Sequence, residues 1–201
     1  MAKKERALDD AIFDLYQLTD SERDLILDTC RVGLDLFYQH ARSDAVKPVP
    51  IEPSARDRGL ASDLPSERQT QRGLDGYIHA FLSSWNGQPS PEGEFMWRVI
   101  NPENSPMLAV SFSSHSKGMP VPAPGKSDSE EWRSTLLALD KASLHGRGSE
   151  RVIIDGITRI VSDTDIVIIK RNEQRLWTRS AAREDAEATF LQAILRQEAR
   201  T

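Results

Sequence analysis

RVIIDGITRIVSDTDIVIIKR, residues 151–171, is the stretch of sequence that decides the fold. Two runs rich in β-branched residues, 151–161 and 165–171, flank the acidic turn SDTD at residues 162–165. β-Branched side chains suit the pleated surface of a sheet, and a short polar turn between two such runs is typical of a β-hairpin. The pattern therefore predicts two antiparallel strands in the C-terminal third of the chain.

Further strands are predicted before and after this hairpin. FMWRVI and MLAVSF, residues 95–100 and 107–112, predict two strands joined by the turn NPENSP. RLWTR, residues 175–179, is a candidate for a third short strand after the hairpin. Because short turns join antiparallel strands, we expect a mostly antiparallel sheet.

Apolar residues at helical spacing predict the helices of the same region. A short helix is expected over about 74–82, a second over about 129–145, and a final helix capped by Ser180. The order of strands, helix, strands and helix predicts a compact α+β domain over residues 73–201, with two helices accompanying a mostly antiparallel sheet.

LDDAIFDLYQLTDSERDLI, residues 8–26, predicts the joint of an N-terminal helical hairpin. Thr19 and Glu22 have the spacing of a capping box, in which each side chain bonds the backbone amide of the other residue. The helical face continues to about Gln39, so we expect the hairpin to occupy residues 1–40. Six of its apolar residues are expected to dock on a partner: Leu8, Ile12, Leu15, Tyr16, Leu25 and Ile26.

Residues 41–72 have a different composition from their neighbours. They are rich in proline, serine and charge and poor in large apolar residues. Such a composition is typical of an exposed linker between folded parts. The sequence thus predicts a hairpin at 1–40, a linker at 41–72 and the α+β domain at 73–201.

The composition bounds the environment of the chain. Its 201 residues are 38% hydrophobic and contain no run of 18 apolar residues, so no membrane span is expected. The opening MAKKERALDD has basic residues without the apolar stretch of a signal peptide. The single cysteine, Cys30, excludes an internal disulfide, fits a reducing cytoplasm and is expected to be a small core residue.

Charge is distributed unevenly along the chain. The net charge of -5 argues against a protein that wraps nucleic acid on its own. Residues 5–35 carry nine acidic and three basic side chains, whereas residues 170–183 carry five basic side chains and one acidic side chain. The two regions would therefore present different surfaces to partners.

The basic C-terminal stretch allows two interpretations. In the first, basic residues interleaved with an aromatic ring meet a nucleic-acid backbone. In the second, Trp177 fills the core while the arginines pair with Glu184 and Asp185. The candidate nucleic-acid contacts of the first interpretation are Lys170, Arg171, Arg175, Trp177 and Arg179.

Patterns for metal or cofactor chemistry are weak. The four histidines are far apart in the sequence, and with one cysteine they do not make the ligand spacing of a zinc site. The chain has no glycine-rich strand-to-helix turn for a methyl-donor cofactor. We therefore expect no catalytic residue, no cofactor and no metal.

A small enzyme is the alternative hypothesis. Asp155 and Lys170 on the two hairpin strands would suit a metal-dependent nuclease, but Ile168 stands where such sites usually have a second carboxylate. His115 lies among serines in SFSSHSKG, which makes a hydrolase conceivable, although the glycine pattern of a nucleophile elbow is missing. The alternative is thus a nuclease or hydrolase with a degenerate motif.

The N-terminal joint resembles a known family. LDDAIFDLYQLTDSERDLI is similar to the helical joint found toward the C-terminal end of many N6-adenine DNA methyltransferases of restriction and phage-defence systems. The stretch IIKRNEQRLWTRSAAREDAEA, residues 168–188, also looks like the strand-then-helix ending of some of these enzymes. Together the two stretches cover about 40 residues, at opposite ends of the chain.

The resemblance implies an accessory role. In that family the cofactor and adenine-binding loops precede the joint, and here seven residues do, so no catalytic residue is carried over. The resemblance implies a non-catalytic subunit that completes a DNA adenine methyltransferase made by another gene, with DNA bound within the complex. A piece of a longer chain, or a structural adaptor that contacts no DNA, would fit the same residues.

Overall fold

Six α-helices and six strands make up the described part of the chain. The structure is a computed structural model that describes residues 2–51, 58–63, 73–85, 93–103, 105–116, 128–145, 151–154 and 156–198. The helices are α1 (Ala2–Leu15), α2 (Asp20–Asp28), α3 (Leu34–Gln39), α4 (Gly73–Trp85), α5 (Asp128–His145) and α6 (Arg179–Glu198). The strands are β1 (Arg58–Leu60), β2 (Gly93–Ile100), β3 (Met107–Ser116), β4 (Arg151–Ile154), β5 (Ile157–Val161) and β6 (Asp165–Arg171). The predicted α+β class is confirmed, although the described part of residues 73–201 has three α-helices and not two.

The strands form one antiparallel sheet in the order β1-β2-β3-β6-β5-β4. β2 and β3 pair along their whole common length, with Phe95 opposite Ser114. β6 returns beside β3, where Ile168 lies opposite Val110. The strands predicted at 95–100 and 107–112 are therefore confirmed.

One face of the sheet packs against α4 and α6. Leu108, Val110 and Phe112 alternate along β3 and are fully buried in the larger hydrophobic cluster. The Phe112 ring stacks on Phe81 of α4, with ring centroids 4.0 Å apart. Burial of each large apolar side chain stabilises the folded state by ~1.5–3 kcal/mol. Most of the buried apolar residues belong to this larger cluster, so this layer supplies most of the core.

The opposite face of the sheet carries α5. Ile100, Ala109 and Ile169 form a second, smaller cluster of buried residues on three neighbouring strands. Trp132 of α5 packs against this cluster. The sheet therefore lies between a helix on one face and a helix pair on the other.

The run predicted as one strand over residues 151–161 is two strands. β4 and β5 pair with each other, with Ile154 opposite Ile157. Gly156 lies in the turn between them at a φ of +81°, a backbone conformation that favours glycine. Asp155 lies outside the described residues. The Asp-Gly pair is a strong turn signal. The β-branched residues on both sides of it nevertheless led to the prediction of one continuous strand.

The strand predicted at RLWTR is wrong. Gln174–Leu176 form a short 3₁₀ helix, and α6 begins at Arg179. Trp177 follows that turn instead of extending a strand. Alternation over five residues is too short a signal to separate a strand from a turn that leads into a helix.

The start of α6 has two caps, and neither is the Ser180 side chain that the sequence suggested. The Thr178 hydroxyl accepts a hydrogen bond from the Ala181 amide at 3.3 Å. The Asp28 carboxylate, at the end of α2, accepts from the Ser180 amide at 2.8 Å. A residue distant in sequence thus supplies the negative charge that a helix N-terminus favours.

Part of the predicted linker belongs to the fold. Ser43, Ala45 and Val49 are buried, and the Val49 amide donates to the side-chain oxygen of Asn172 at 2.9 Å. β1 forms the edge of the sheet beside β2. The prediction of an exposed linker is therefore wrong at these positions, because three scattered small or medium-sized residues leave no periodic pattern.

The helical hairpin packs against α6 through a buried carboxylate. Asp24 of α2 is 1% exposed, and its two oxygens accept from the Nε atoms of Arg179 and Arg183, each at 2.9 Å. Both guanidinium groups are largely buried as well. The hairpin is therefore joined to the α+β domain by charge, and residues 1–40 do not stand apart from it.

We predict that Asp24→Asn lowers the free energy of unfolding by about 3 kcal/mol, because removal of one partner leaves two arginines facing a neutral group in a buried site. Urea denaturation followed by circular dichroism measures the loss. Asp9→Asn removes the same charge from an exposed position on α1 and should change stability by less than ~0.5 kcal/mol. Equal losses in both variants would contradict the structural role of Asp24.

Candidate functional site

The capping box that joins α1 to α2 is confirmed. The Thr19 amide donates to Oε2 of Glu22 at 2.8 Å, and the Glu22 amide donates to the Thr19 hydroxyl at 3.4 Å. The Thr19 hydroxyl also donates to Oε2 of Glu22 at 2.7 Å, and this bond, together with that from the Thr19 amide, lowers the pKa of the Glu22 carboxyl below its ordinary value. The turn that precedes them places Gln17 at a φ of +54°.

Arg23 holds α1 against α2. Its guanidinium pairs with the Asp14 carboxylate at 2.7 Å, and its Nε donates to the Leu18 carbonyl at 2.9 Å. The same group lies over the Phe13 ring, 5.8 Å from the centroid. Phe13 is buried, so the inner side of the hairpin joint is occupied by contacts within the chain.

The six predicted docking residues lie on the outer side of the hairpin. Their exposed fractions range from 38% for Ile26 to 78% for Leu15. We call this set, Leu8, Ile12, Leu15, Tyr16, Leu25 and Ile26, the apolar hairpin surface. Leu34, Phe37 and Tyr38 on α3 are exposed to a similar degree. Large exposed apolar patches are uncommon on monomeric proteins, so the apolar hairpin surface is a candidate site of protein contact.

A π-helical segment, Thr29–Gly33, separates α2 from α3. Such segments are rare, and they often occur at functional sites. Cys30 lies in this segment and is exposed, so the prediction of a core cysteine is wrong. The π-helical turn is wider than an α-helical turn, so it changes which side chains face the core. The prediction for Cys30 assumed that the α-helical periodicity of α2 continued through this segment.

Lys170 is buried and does not face a nucleic acid. Its side chain is 1% exposed, its Nζ pairs with the Asp185 carboxylate, and it donates to the Leu176 carbonyl at 2.9 Å. The ammonium group lies 5.0 Å from the ring centroid of Tyr77. Burial lowers the pKa of Lys170, and the nearby Asp185 opposes that shift. The prediction of Lys170 as a backbone contact is therefore corrected.

Trp177 is also inside the core. It is 1% exposed, its Nε1 donates to the Arg171 carbonyl at 3.0 Å, and its ring meets Tyr77 edge-on at 4.8 Å. A ring in this position is not available to stack on a base. The interpretation that placed Trp177 in the core is confirmed.

The arginines of the basic stretch pair with different acids from those expected. Arg171 and Arg175 both contact Glu173, at 3.0 and 2.7 Å. Arg179 pairs with Asp24 of the hairpin. The predicted pairing of these arginines with Glu184 and Asp185 is therefore wrong: Arg171 and Arg175 use an acid two residues away, and Arg179 uses one that is distant in the sequence.

Asp185 is instead the centre of a buried polar network. Its Oδ1 accepts from Nε of Arg159 at 2.8 Å, and its Oδ2 accepts from the Tyr77 hydroxyl at 2.5 Å. Burial and the Asp185 charge raise the pKa of Tyr77 well above its ordinary value. Sequence reasoning missed Arg159 and Tyr77 because each lies within an apolar pattern that predicts only a core strand or helix.

The residues of the alternative enzyme do not come together in the described parts of the fold. Asp155 lies outside the described residues, and Lys170 is committed to Asp185. His115 lies on β3 opposite Glu94 of β2 and not in a loop. Among the residues that the structure describes, no group of three or more histidine, cysteine, aspartate or glutamate side chains could hold a metal ion.

Comparison with protein-family models, with curated proteins and with solved structures finds no significant match. Over the described helices, none combines the length and the hydropathy needed to cross a membrane.

His79 of α4 lies close to the arginines that bind Asp24. Burial lowers its pKa below the ordinary value of 6.5, and the positive charges of Arg179 and Arg183 lower it further. As the pH falls through 6.5, the unfolded chain therefore takes up the proton first, and stability present above that pH is lost.

We predict that His79→Gln reduces the loss of stability between about pH 7.5 and pH 5. The measurement is the free energy of unfolding from urea denaturation at several pH values, for the variant and the wild type in parallel. Identical pH profiles for the two proteins would contradict a lowered pKa at His79.

Proposed function

We propose that this chain is a non-catalytic accessory subunit of an N6-adenine DNA methyltransferase in a restriction or phage-defence system. It would support assembly of the complex and its engagement of DNA, in the cytoplasm. The observation that carries the proposal is the exposed apolar hairpin surface on the very stretch that resembles the methyltransferase joint.

The structure of the hairpin supports a docking role. The capping box, the Arg23 contacts and the Asp24 pairs fix the backbone, so the outer apolar residues are ordered before a partner arrives. Little conformational entropy would be lost when a partner covers a preorganised surface. Leu15 and Tyr16, the most exposed of the set, are large enough to act as anchors in pockets of a partner.

The polar residues support a role without catalysis by this chain. Acid–base and nucleophilic sites need titratable groups within reach of a substrate. Here two groups with shifted pKa values, Tyr77 and Lys170, are enclosed in the core with Asp185 and Arg159. Their arrangement is that of a structural network which joins α6 to the sheet.

We predict that Leu15→Asp with Leu25→Asp abolishes complex formation with the methyltransferase encoded beside this chain. Charged groups at a buried contact lose their hydration without gaining partners, so binding should fall by at least about a hundredfold. The measurement is co-purification after co-expression, followed by titration at micromolar concentration. Both positions are exposed in the free chain, so its melting temperature should be unchanged.

Leu136→Asp with Leu137→Asp on α5 is the matched control, because both leucines are exposed and lie away from the hairpin. The control protein should still bind the methyltransferase. Absence of any complex with the wild-type chain would overturn the proposed function. Equal loss of binding in both double variants would show that the hairpin surface is not the docking site.

A further inference from the structure

Three short turns from distant parts of the chain meet at one place. The π-helical segment Thr29–Gly33, the 3₁₀ turn Asp44–Val46 and the 3₁₀ turn Gln174–Leu176 pack against one another. The Gln174 amide donates to the Lys47 carbonyl at 3.0 Å, which fixes two of the turns. We call this place the three-turn junction. It joins segments that are more than 120 positions apart in the chain.

The Asp44 side chain is 74% exposed, whereas the other three acidic side chains at the three-turn junction are bound inward. Asp28 accepts from the Ser180 amide, and Asp35 accepts from the Asp44 amide at 3.1 Å. Glu173 is 8% exposed. Their negative charge is therefore directed mainly toward backbone donors and neighbouring guanidinium groups, and less toward solvent.

Basic side chains at the junction point outward. The side chains of Arg171 and Lys47 are each 60% exposed, that of Arg175 is 39% exposed, and Arg31 is exposed. Glu173 is one carboxylate shared by two guanidinium groups, so that trio carries a net positive charge. The pair of Lys47 with Asp44 is exposed, and such pairs are weak enough for a ligand to replace.

A cleft of about 270 Å³ opens at the junction. Arg31 and Gln174 line it, together with Thr178 and Arg179 at the start of α6. Guanidinium, amide and hydroxyl groups are the side chains that most often contact nucleic-acid phosphates. The Asp28 carboxylate also lines the cleft, so a phosphate would bind on the side of Arg31, away from the α6 amide that Asp28 occupies.

We propose that the outer rim of the three-turn junction, formed by Arg31, Lys47, Arg171 and Arg175, binds the phosphate backbone of duplex DNA. The choice of DNA as the ligand rests on the proposed function, whereas the phosphate chemistry rests on the charges of the rim. Two residues of the sequence-predicted contact set, Arg171 and Arg175, remain in this surface. Arg31 and Lys47 take the place of the buried Lys170 and Trp177.

The test compares two double variants of equal charge. Arg31→Ala with Arg175→Ala removes two rim cations, and Arg6→Ala with Arg133→Ala removes two exposed cations from α1 and α5. Binding to two fluorescein-labelled 20-base-pair duplexes of unrelated sequence is followed by anisotropy over a range of salt. The methyltransferase complex and the chain alone are both measured, the chain alone at low salt.

The rim variant should weaken binding about tenfold for both duplexes and lower the salt slope by about two, one for each lost phosphate contact. The control pair should change both quantities little. Glu173→Gln removes the carboxylate shared by Arg171 and Arg175 and should tighten binding. Melting temperatures of all variants exclude loss of folding as the cause.

Equal effects of the two double variants would overturn the proposed surface, as would the absence of DNA binding in both samples. Tighter binding to anionic lipid vesicles than to either duplex would also overturn it. A rim-specific effect without any methyltransferase complex would keep the surface and reject the accessory function. A stable methyltransferase complex in which the rim variant binds DNA normally would keep the accessory function and reject the proposed surface.

Discussion

The carboxylate of Asp185 is the interaction on which the rest of the structure depends. Asp185 lies on α6, is fully buried, and receives donors from α4, β5 and β6 through Tyr77, Arg159 and Lys170. Two buried cations without this anion would be far more costly than the network as it stands. The docking of α6 on the sheet is therefore specified by charge as well as by the apolar residues around it.

Charged and polar contacts also join the N-terminal part of α6 to the hairpin. Arg179 and Arg183 bind Asp24, and the Ser180 amide binds Asp28, so two acids of α2 meet the N-terminal turn of α6. Farther along the same helix, Asp185 binds the sheet. One helix thus connects the hairpin to the sheet, and Asp24 of the acidic region pairs inside the molecule with two arginines of the basic region.

The elements that could be predicted from the sequence are those with local signals. Helical periodicity located α4 and α5 to within a few residues, and the capping box located the start of α2. The exposure of Leu15 and Tyr16 was also foreseeable, because the hairpin has more apolar residues than its own joint can bury. These features depend on residues no more than a few positions apart.

The features that the sequence did not predict depend on contacts between distant residues. Lys170 reads as the polar end of a strand, and only the presence of Asp185 and Tyr77 beside it makes burial possible. The sequence around Val49 predicts a linker, but in the structure Asn172 accepts a hydrogen bond from the Val49 amide and the residue is part of the fold. Periodicity reports which side of an element is apolar, but it does not report which polar residue on that side will find a partner.

The π-helical segment links the two surfaces that would carry the proposed function. Residues 20–39 run as one helical stretch from α2 through Thr29–Gly33 to α3, so Leu25 of the apolar hairpin surface and Arg31 of the three-turn junction lie on the same continuous backbone. Asp24, next to Leu25, and Asp28, three residues before Arg31, attach this stretch to α6. No flexible linker separates the two surfaces. A partner bound at the apolar hairpin surface would therefore lie at a fixed distance and orientation from the three-turn junction.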